Sequence, residues 1–294
     1  MIKVKDFFSI EDFKNTLNLS ILGARVCYSS KSLEELLKDK RITDKESRIN
    51  FIEKLIKHKH YSVFSHSFAY KNVGELNALK IGATKFKSEY NPEFKDVIGV
   101  SLRHLIEELT EDEIKKSLNE IKEIETKIEI IDKEENVYLL HLNTDYSGYA
   151  MFYIEGISRI ATHQLVRHTS LNFSQRSQRY VNEKDNEVYI PDTIQNQNVI
   201  ESFKALDRHL QKLYDKFVNE YKIKIEDARY ILPSGRKSTI VVSGTLRWIN
   251  DFIEKRLDNH AQKEIRDIAY RMKNILDRVI KSKKFIDTRK VIKD

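Results

Sequence analysis

Between Arg167 and Tyr180 three arginines, Arg167, Arg176 and Arg179, are interleaved with Ser170, Ser174, Ser177, Asn172 and Gln175. A guanidinium fork can donate two parallel hydrogen bonds to a phosphate, and hydroxyl and amide groups can read a pyrimidine edge. The stretch therefore has the chemistry of an anion or nucleotide site. A solvated basic loop has the same composition, so the residue types alone leave both readings open. No GxGxxG or GxxxxGK[ST] loop and no HExxH occurs, so a nucleotide would have to be held by side chains, and no metal site is predicted. The single cysteine, Cys27, excludes an internal disulfide and any multi-cysteine metal centre, and suits a small buried apolar position.

The elements that must position these residues are mostly helical. Only eight glycines and three prolines interrupt 294 residues. Phe51, Ile52, Leu55 and Ile56 share one helical face that ends near His58 to His60. Thr110 with Glu113 forms a capping box, after which Ile114, Leu118, Ile121, Ile124, Ile128 and Ile131 predict one long amphipathic helix. Tyr149 to Ile154 reads as a strand feeding a helix over Gly156 to His168, and the polar signature after it reads as a loop. Glu187 to Ile190 is a short strand before Pro191. Phe203, Leu206, Leu210, Leu213, Phe217 and Tyr221 predict a second long helix. Ile240 to Val242 reads as β with Ser243-Gly244 as a turn, and a helical region follows from Phe252 to Val279. The Leu-Arg cores of Val100 to Glu108 and Ser243 to Lys255 echo one another, over a stretch too short to establish duplication.

Bulk properties bound the partners. Lys plus Arg exceed Asp plus Glu by 52 − 45 = 7, and the excess is spread along the chain, which favours small anions over nucleic acid. No run approaches the roughly 18 apolar residues of a membrane span, and MIKVKDFFSI lacks a signal-peptide layout. A soluble, cytoplasmic protein with no membrane partner is the expectation.

The signature RHTSLNFSQRSQRY resembles that of the flavin-dependent thymidylate synthases, RHRxxSxSQxSQRY, at Arg167, His168, Ser174, Gln175, Ser177, Gln178, Arg179 and Tyr180. GARVCYSS at Gly23 to Ser30, HYSVFSH at His60 to His66, IEGISRIATHQLVRH at Ile154 to His168, ARYILP at Ala228 to Pro233 and RLDNHAQKEI at Arg256 to Ile265 are similar to further family segments, in the family's order. The resemblance covers residues 1 to 71 and 146 to 285. It implies an α+β fold, a largely antiparallel sheet with long helices, in a single domain over 1–294 with a helical insertion at about 72–145, assembled as a homotetramer with shared active sites.

The resemblance also implies an activity. FAD, reduced by NADPH, would convert dUMP to dTMP with methylenetetrahydrofolate as carbon donor and no enzyme nucleophile. Gln164, Gln175, Ser177, Arg179 and Arg229 match dUMP-binding positions. Ser177 would polarise the uracil ring, and Arg256 would hold its developing negative charge. Ser62, Arg167, His168, Arg247 and His260 match flavin positions, and His60 matches a histidine near flavin and folate. His66 and His163 fit structural roles better, His163 on a helix surface.

Five positions depart from the pattern: Thr169 for the second arginine of RHR, Asn172 for the first signature serine, Ser65 for a glutamate, and Thr245 and Asp251 where asparagine or similar residues are usual. Thr169 and Ser65 motivate an alternative in which another pyrimidine nucleotide such as UMP or dCMP is methylated or hydroxymethylated on the same scaffold. A second alternative is a noncatalytic protein that binds RNA or DNA through exposed arginines.

Overall fold

The computed structural model describes residues 2–121, 127–183 and 187–282. Helix α1 (Leu17–Cys27) is apolar on nearly every face and is correspondingly buried. Three capped helices follow it. In α2 (Leu33–Leu37) Ser32 and Glu35 form a capping box; Asp39 caps α3 (Lys40–Thr43), and Asp44 accepts from the Ser47 N–H to start α4 (Lys45–Lys57). The stop of α4 at His58 agrees with the periodicity.

A 3-10 turn, Tyr61–His66, leads into β1 (Phe68–Asn72), α5 (Glu75–Thr84), β2 (Glu89–Tyr90), β3 (Val97–Ser101), α6 (Leu102–Ile106) and α7 (Glu111–Glu120). The three strands form a small antiparallel sheet in the order β1-β3-β2. Gly99 is required at its centre, because a Cβ there would lie 2.5 Å from the Tyr70 ring.

The larger sheet begins with β4 (Asp132–Glu134), β5 (Val137–Asn143) and β6 (Tyr149–Ser158). After α8 (Arg159–Leu165) comes β7 (Asn172–Gln175); α9 (Gln197–Asn219) and α10 (Ile225–Ala228) precede β8 (Lys237–Gly244), and α11 (Leu246–Leu257) and α12 (Lys263–Ser282) close the described chain. All pairings are antiparallel, in the order β4-β5-β6-β8-β7. Both faces of the central strands are buried. Met151, Tyr153 and Val241 join the core built with α1, whereas Phe152, Ile154, Ile240 and Val242 join a second core with Ile268 and Met272 of α12. The period-two alternation of a strand divides the side chains between the two layers. The α+β class with a largely antiparallel sheet is thus the observed one. No helix among the described residues is long and apolar enough to cross a membrane.

Several element expectations change. The helix that starts at Thr110 ends at Glu120; Ile124 lies outside the described residues, Ile128 is buried in the core, and the Ile131 N–H donates to Leu139 O at the start of a hairpin. A spacing of three or four also fits successive short elements that bury one side. Segment 72–145 holds the expected helices and also supplies β2, β3, β4 and β5. Gly156, at φ +66, belongs to β6 where its register with β8 slips, so the following helix begins only at Arg159. The middle of the signature is strand β7, because edge pairing with β8 satisfies backbone groups whose polar side chains gave no β pattern. Ser243-Gly244 continues β8 rather than turning, with Gly244 against Leu171. Glu187 to Ile190 yields only a bridge, Val188 to Arg236.

Candidate active site

Strand β7 is the base of the site. Its register sets Asn172 opposite Ser243 and Gln175 opposite Ile240, and beyond it the Arg176 N–H donates to Thr239 O at 2.9 Å. The Ser177 N–H then donates to Cys27 O at 3.0 Å, which ties the signature to the end of α1. Here the chain turns, with the Arg179 N–H on Ser177 Oγ at 3.2 Å and the Val181 N–H on Ser177 O at 2.9 Å. The turn holds Ser177 at the rim of the sheet.

Two arginines, Arg179 and Arg229, meet at Glu226 beside this turn, and a third, Arg159, is within electrostatic reach of Arg229. Arg179 donates through Nε and Nη2 to Glu226 Oε2, both at 3.1 Å, and lies 5.3 Å from the Tyr180 ring. The Arg229 Nε donates to Glu226 O at 3.0 Å. Arg159, the first residue of α8, has a buried Nη1 with no hydrogen-bond partner among the described residues. Burial is the largest influence lowering its pKa; Glu183 opposes that shift and Arg229 adds to it. A buried guanidinium N–H without an acceptor is costly, and an anion at this point would satisfy it. Sequence reasoning missed Arg159. Its signal was an arginine at the head of the helix that carries Gln164, directly after the capping Ser158.

Gln175 is turned toward α8, its Nε2 on Thr162 Oγ1 at 3.0 Å and Ser238 Oγ at 3.2 Å. A second group forms where α11 meets the end of α8. Arg256 Nε donates to His168 Nε2 at 2.9 Å and Nη2 to Gln164 O at 3.0 Å, while the Gln164 amide donates to Gln262. His168 accepts at Nε2, so its ring is neutral there. Burial lowers its pKa most, the Arg256 charge adds to the effect, and Asp251 opposes it. Phe252 packs edge-on against the ring at 5.0 Å.

His60 is linked to the signature's end through Tyr28, whose hydroxyl is 2.7 Å from His60 Nδ1 and whose ring is 5.0 Å from that of Tyr180. Burial is the main cause of its lowered pKa. Ser62 and Arg167 are exposed. Arg247 is exposed over the Trp248 ring, and His260, almost fully exposed, bonds to Asp258 in its own turn. One chain therefore brings together Ser177, Arg179 and Arg229, and separately Gln164, His168 and Arg256. Arg247, Ser62 and His260 join neither group.

The other polar candidates are structural. His66 is completely buried between Ser243 Oγ at 2.7 Å and Ser174 Oγ at 2.9 Å, and burial pushes its pKa down to about 3. His163 is exposed on α8. Burial pushes the Cys27 thiol up, which keeps it protonated and unreactive. Asn172 donates through Nδ2 to Ser65 O at 3.0 Å, so two of the departing positions touch.

The family model described as thymidylate synthase complementing protein matches residues 96–280. It starts inside segment 72–145 and takes in the signature. Among curated proteins, a flavin-dependent thymidylate synthase of Corynebacterium efficiens is 38% identical over 136 residues, covering 41% of this chain and 54% of the relative. Another, of Pyrococcus furiosus, is 40% identical over 126 residues, covering 41% and 51%. The chain spans about half the length of the curated relatives it matches. Of solved structures, thymidylate synthase X from Helicobacter pylori with FAD and dUMP is 26% identical, with a TM-score of 0.37 over 44% of this chain and 67% of that one. The UMP/dUMP methylase PolB from Streptomyces cacaoi, bound with 5-Br UMP, is 19% identical, with a TM-score of 0.40 over 45% and 68%.

Proposed function

Because the chain belongs to the thymidylate synthase complementing protein family, we propose that it is an FAD-dependent enzyme that methylates dUMP to dTMP, with methylenetetrahydrofolate as carbon donor and NADPH as reductant. The observation that carries this reading is the cluster beside Ser177: Arg179 pairs with the Glu226 carboxylate, Arg229 donates to the Glu226 backbone carbonyl, and Arg159 keeps a buried N–H without an acceptor. Glu226 holds the place of an anion. Its pair with Arg179 is half-exposed, so it contributes little stability and a nucleotide phosphate can displace it.

In this reading the phosphate is held by Arg159, Arg179 and Arg229, and the base lies against Ser177 and Gln175. Ser177 donates to the pyrimidine and draws charge toward the ring oxygens, and Arg256 holds the negative charge that develops there. His168 remains neutral and orients the Arg256 guanidinium through its Nε2. Arg167, His168, Arg247, Ser62, His60 and His260 would hold the flavin, a donor set whose permanent cations suit a diphosphate. Bound flavin would supply the hydride that completes the methyl group. The high-pKa Cys27 fits a route without a thiol nucleophile.

The residues separated in one chain support sites shared in a homotetramer. Arg247 and His260 are exposed where a neighbouring protomer could meet them, and α9 has apolar residues on its open side, with Val199 40% and Leu206 58% exposed.

Purified protein should show a flavin spectrum and form dTMP from dUMP, NADPH and methylenetetrahydrofolate. Ser177→Ala and Arg179→Ala should each impair turnover or dUMP binding. Absence of methyl transfer to dUMP under these conditions would overturn the reading. Product analysis with UMP and dCMP tests the alternative substrates prompted by Thr169 and Ser65. A colourless protein with salt-sensitive polynucleotide affinity would instead indicate nucleic-acid binding.

A further inference from the structure

The turn before β2 lies outside both the signature and the family-model match, yet it reaches the site. Lys87, in left-handed backbone at φ +65, extends Nζ to Leu171 O at 2.6 Å and Asn172 Oδ1 at 3.1 Å. Asn172 passes the contact on through Nδ2 to Ser65 O, in the 3-10 turn that follows His60 and includes Ser62. Two residues after Lys87, the buried Glu89 accepts from Thr245 Oγ1 at 3.3 Å, at the head of the helix that carries Arg247 and Arg256. A single turn thus holds the signature strand, the His60 segment and α11.

The contacted positions are informative. Asn172, Ser65 and Thr245 are three of the five departures from the family pattern. An asparagine can accept from Lys87 at Oδ1 while donating to Ser65 O at Nδ2, and the shorter serine side chain could not span both. These three departures and the segment from Lys87 to Glu89 form one hydrogen-bonded unit.

We propose that Lys87 is a positioning residue for the flavin side of this site, acting through Leu171, Asn172 and Ser65. The inference rests on the flavin-dependent reading above. Among the described residues no carboxylate pairs with the Lys87 ammonium; its neighbours are two neutral oxygens and, 5.5 Å away, the Phe86 ring. Burial first, and Arg103 second, bring its pKa down to about 8.

The other titratable groups that face it are each buried neutral or held by a partner. His66 is neutral, His104 is bonded to Phe86 O with its pKa lowered chiefly by burial, Arg103 pairs with Glu107, and Lys85 pairs with Glu108. Glu89 faces Arg247, and burial raises its pKa. Because the folded-state pKa of Lys87 is depressed, its protonation opposes folding fully below about 8, and the penalty is relieved as pH rises from there to the ordinary lysine value. The ammonium is the form that holds both Leu171 O and Asn172 Oδ1, so a flavin that needs this arrangement favours the protonated form. Flavin affinity should therefore fall as pH rises through about 8.

The test is FAD titration of the full chain by flavin fluorescence at pH 7 and pH 9, for the parent protein, Lys87→Met and Lys87→Arg. Loss of one stabilising proton weakens parent binding about tenfold over that interval. Lys87→Arg should abolish the slope and keep tight binding at pH 9. Lys87→Met should bind about tenfold more weakly at pH 7 with no slope. If Lys87→Met does not fold, the slope of Lys87→Arg decides. Variants that keep the parent slope overturn the role of Lys87 and leave the functional reading intact. A parent protein that binds no FAD at either pH overturns that reading itself.

Discussion

At the scale of single residues, the anion cluster makes the sharpest demands. Arg159 gave no signal as a candidate because an arginine at a helix start is usually solvated; its burial and unpartnered Nη1 follow from the folding that brings Glu183 and Arg229 within electrostatic reach of it. Arg159→Ala should weaken dUMP binding roughly tenfold to a hundredfold, the scale of a charge-assisted hydrogen bond, measured by calorimetry at fixed salt. Unchanged affinity would remove Arg159 from the site. Glu226→Gln works in the opposite sense: with the competing carboxylate gone from Arg179, dUMP should bind a few times more tightly. Weaker binding would mean that Glu226 orients the arginine rather than occupying the anion's position. Ser177 and Arg179 stood out as candidates by side-chain type and the family resemblance added Arg229, whereas Glu226 carried no such signal, since its partner Arg179 is 47 positions away.

At the scale of elements, helices with a wide apolar stripe were readable and polar strands were not. Residues of α4, α9 and α12 repeat at steps of three and four over several turns, so burial on one side fixes the helix. Strand β7 has no such signal. It exists because β8 presents an unpaired edge, and its own polar side chains are committed to His66, Ser65 O, Thr162 and Ser238. The open side of α9 carries Val199, Phe203 and Leu206, the last 58% exposed. Leu206→Glu should shift the protein toward smaller assemblies in light scattering while leaving the helical circular dichroism unchanged. The same mass for variant and parent would show that this face does not join protomers.

At the scale of the whole molecule, a sheet buried on both faces must satisfy its interior polar groups internally. His66 does this for Ser174 and Ser243, which lie on neighbouring strands. Its folded pKa of about 3 lies below the ordinary histidine value, so its contribution to stability is present above about 6.5 and lost as pH falls toward about 3. His66→Gln, which can still donate and accept, should flatten the acid limb of the stability curve between those values in urea melts. An unchanged acid limb would show that other groups govern acid unfolding.

By itself the sequence determined which chemistry was available: permanent cations and hydroxyls in one short run, helices of stated period, and a set of ordered segments similar to one family. Those properties are local, being fixed by side-chain type and by neighbours within a few positions. Only the tertiary structure decided which groups meet. The Arg159 cluster, the Glu226 pairing and the reach of Lys87 to Leu171, across 84 positions, depend on sheet register and on two cores closing against each other. Such contacts are fixed by long-range packing and loop closure, and no short stretch of sequence encodes them.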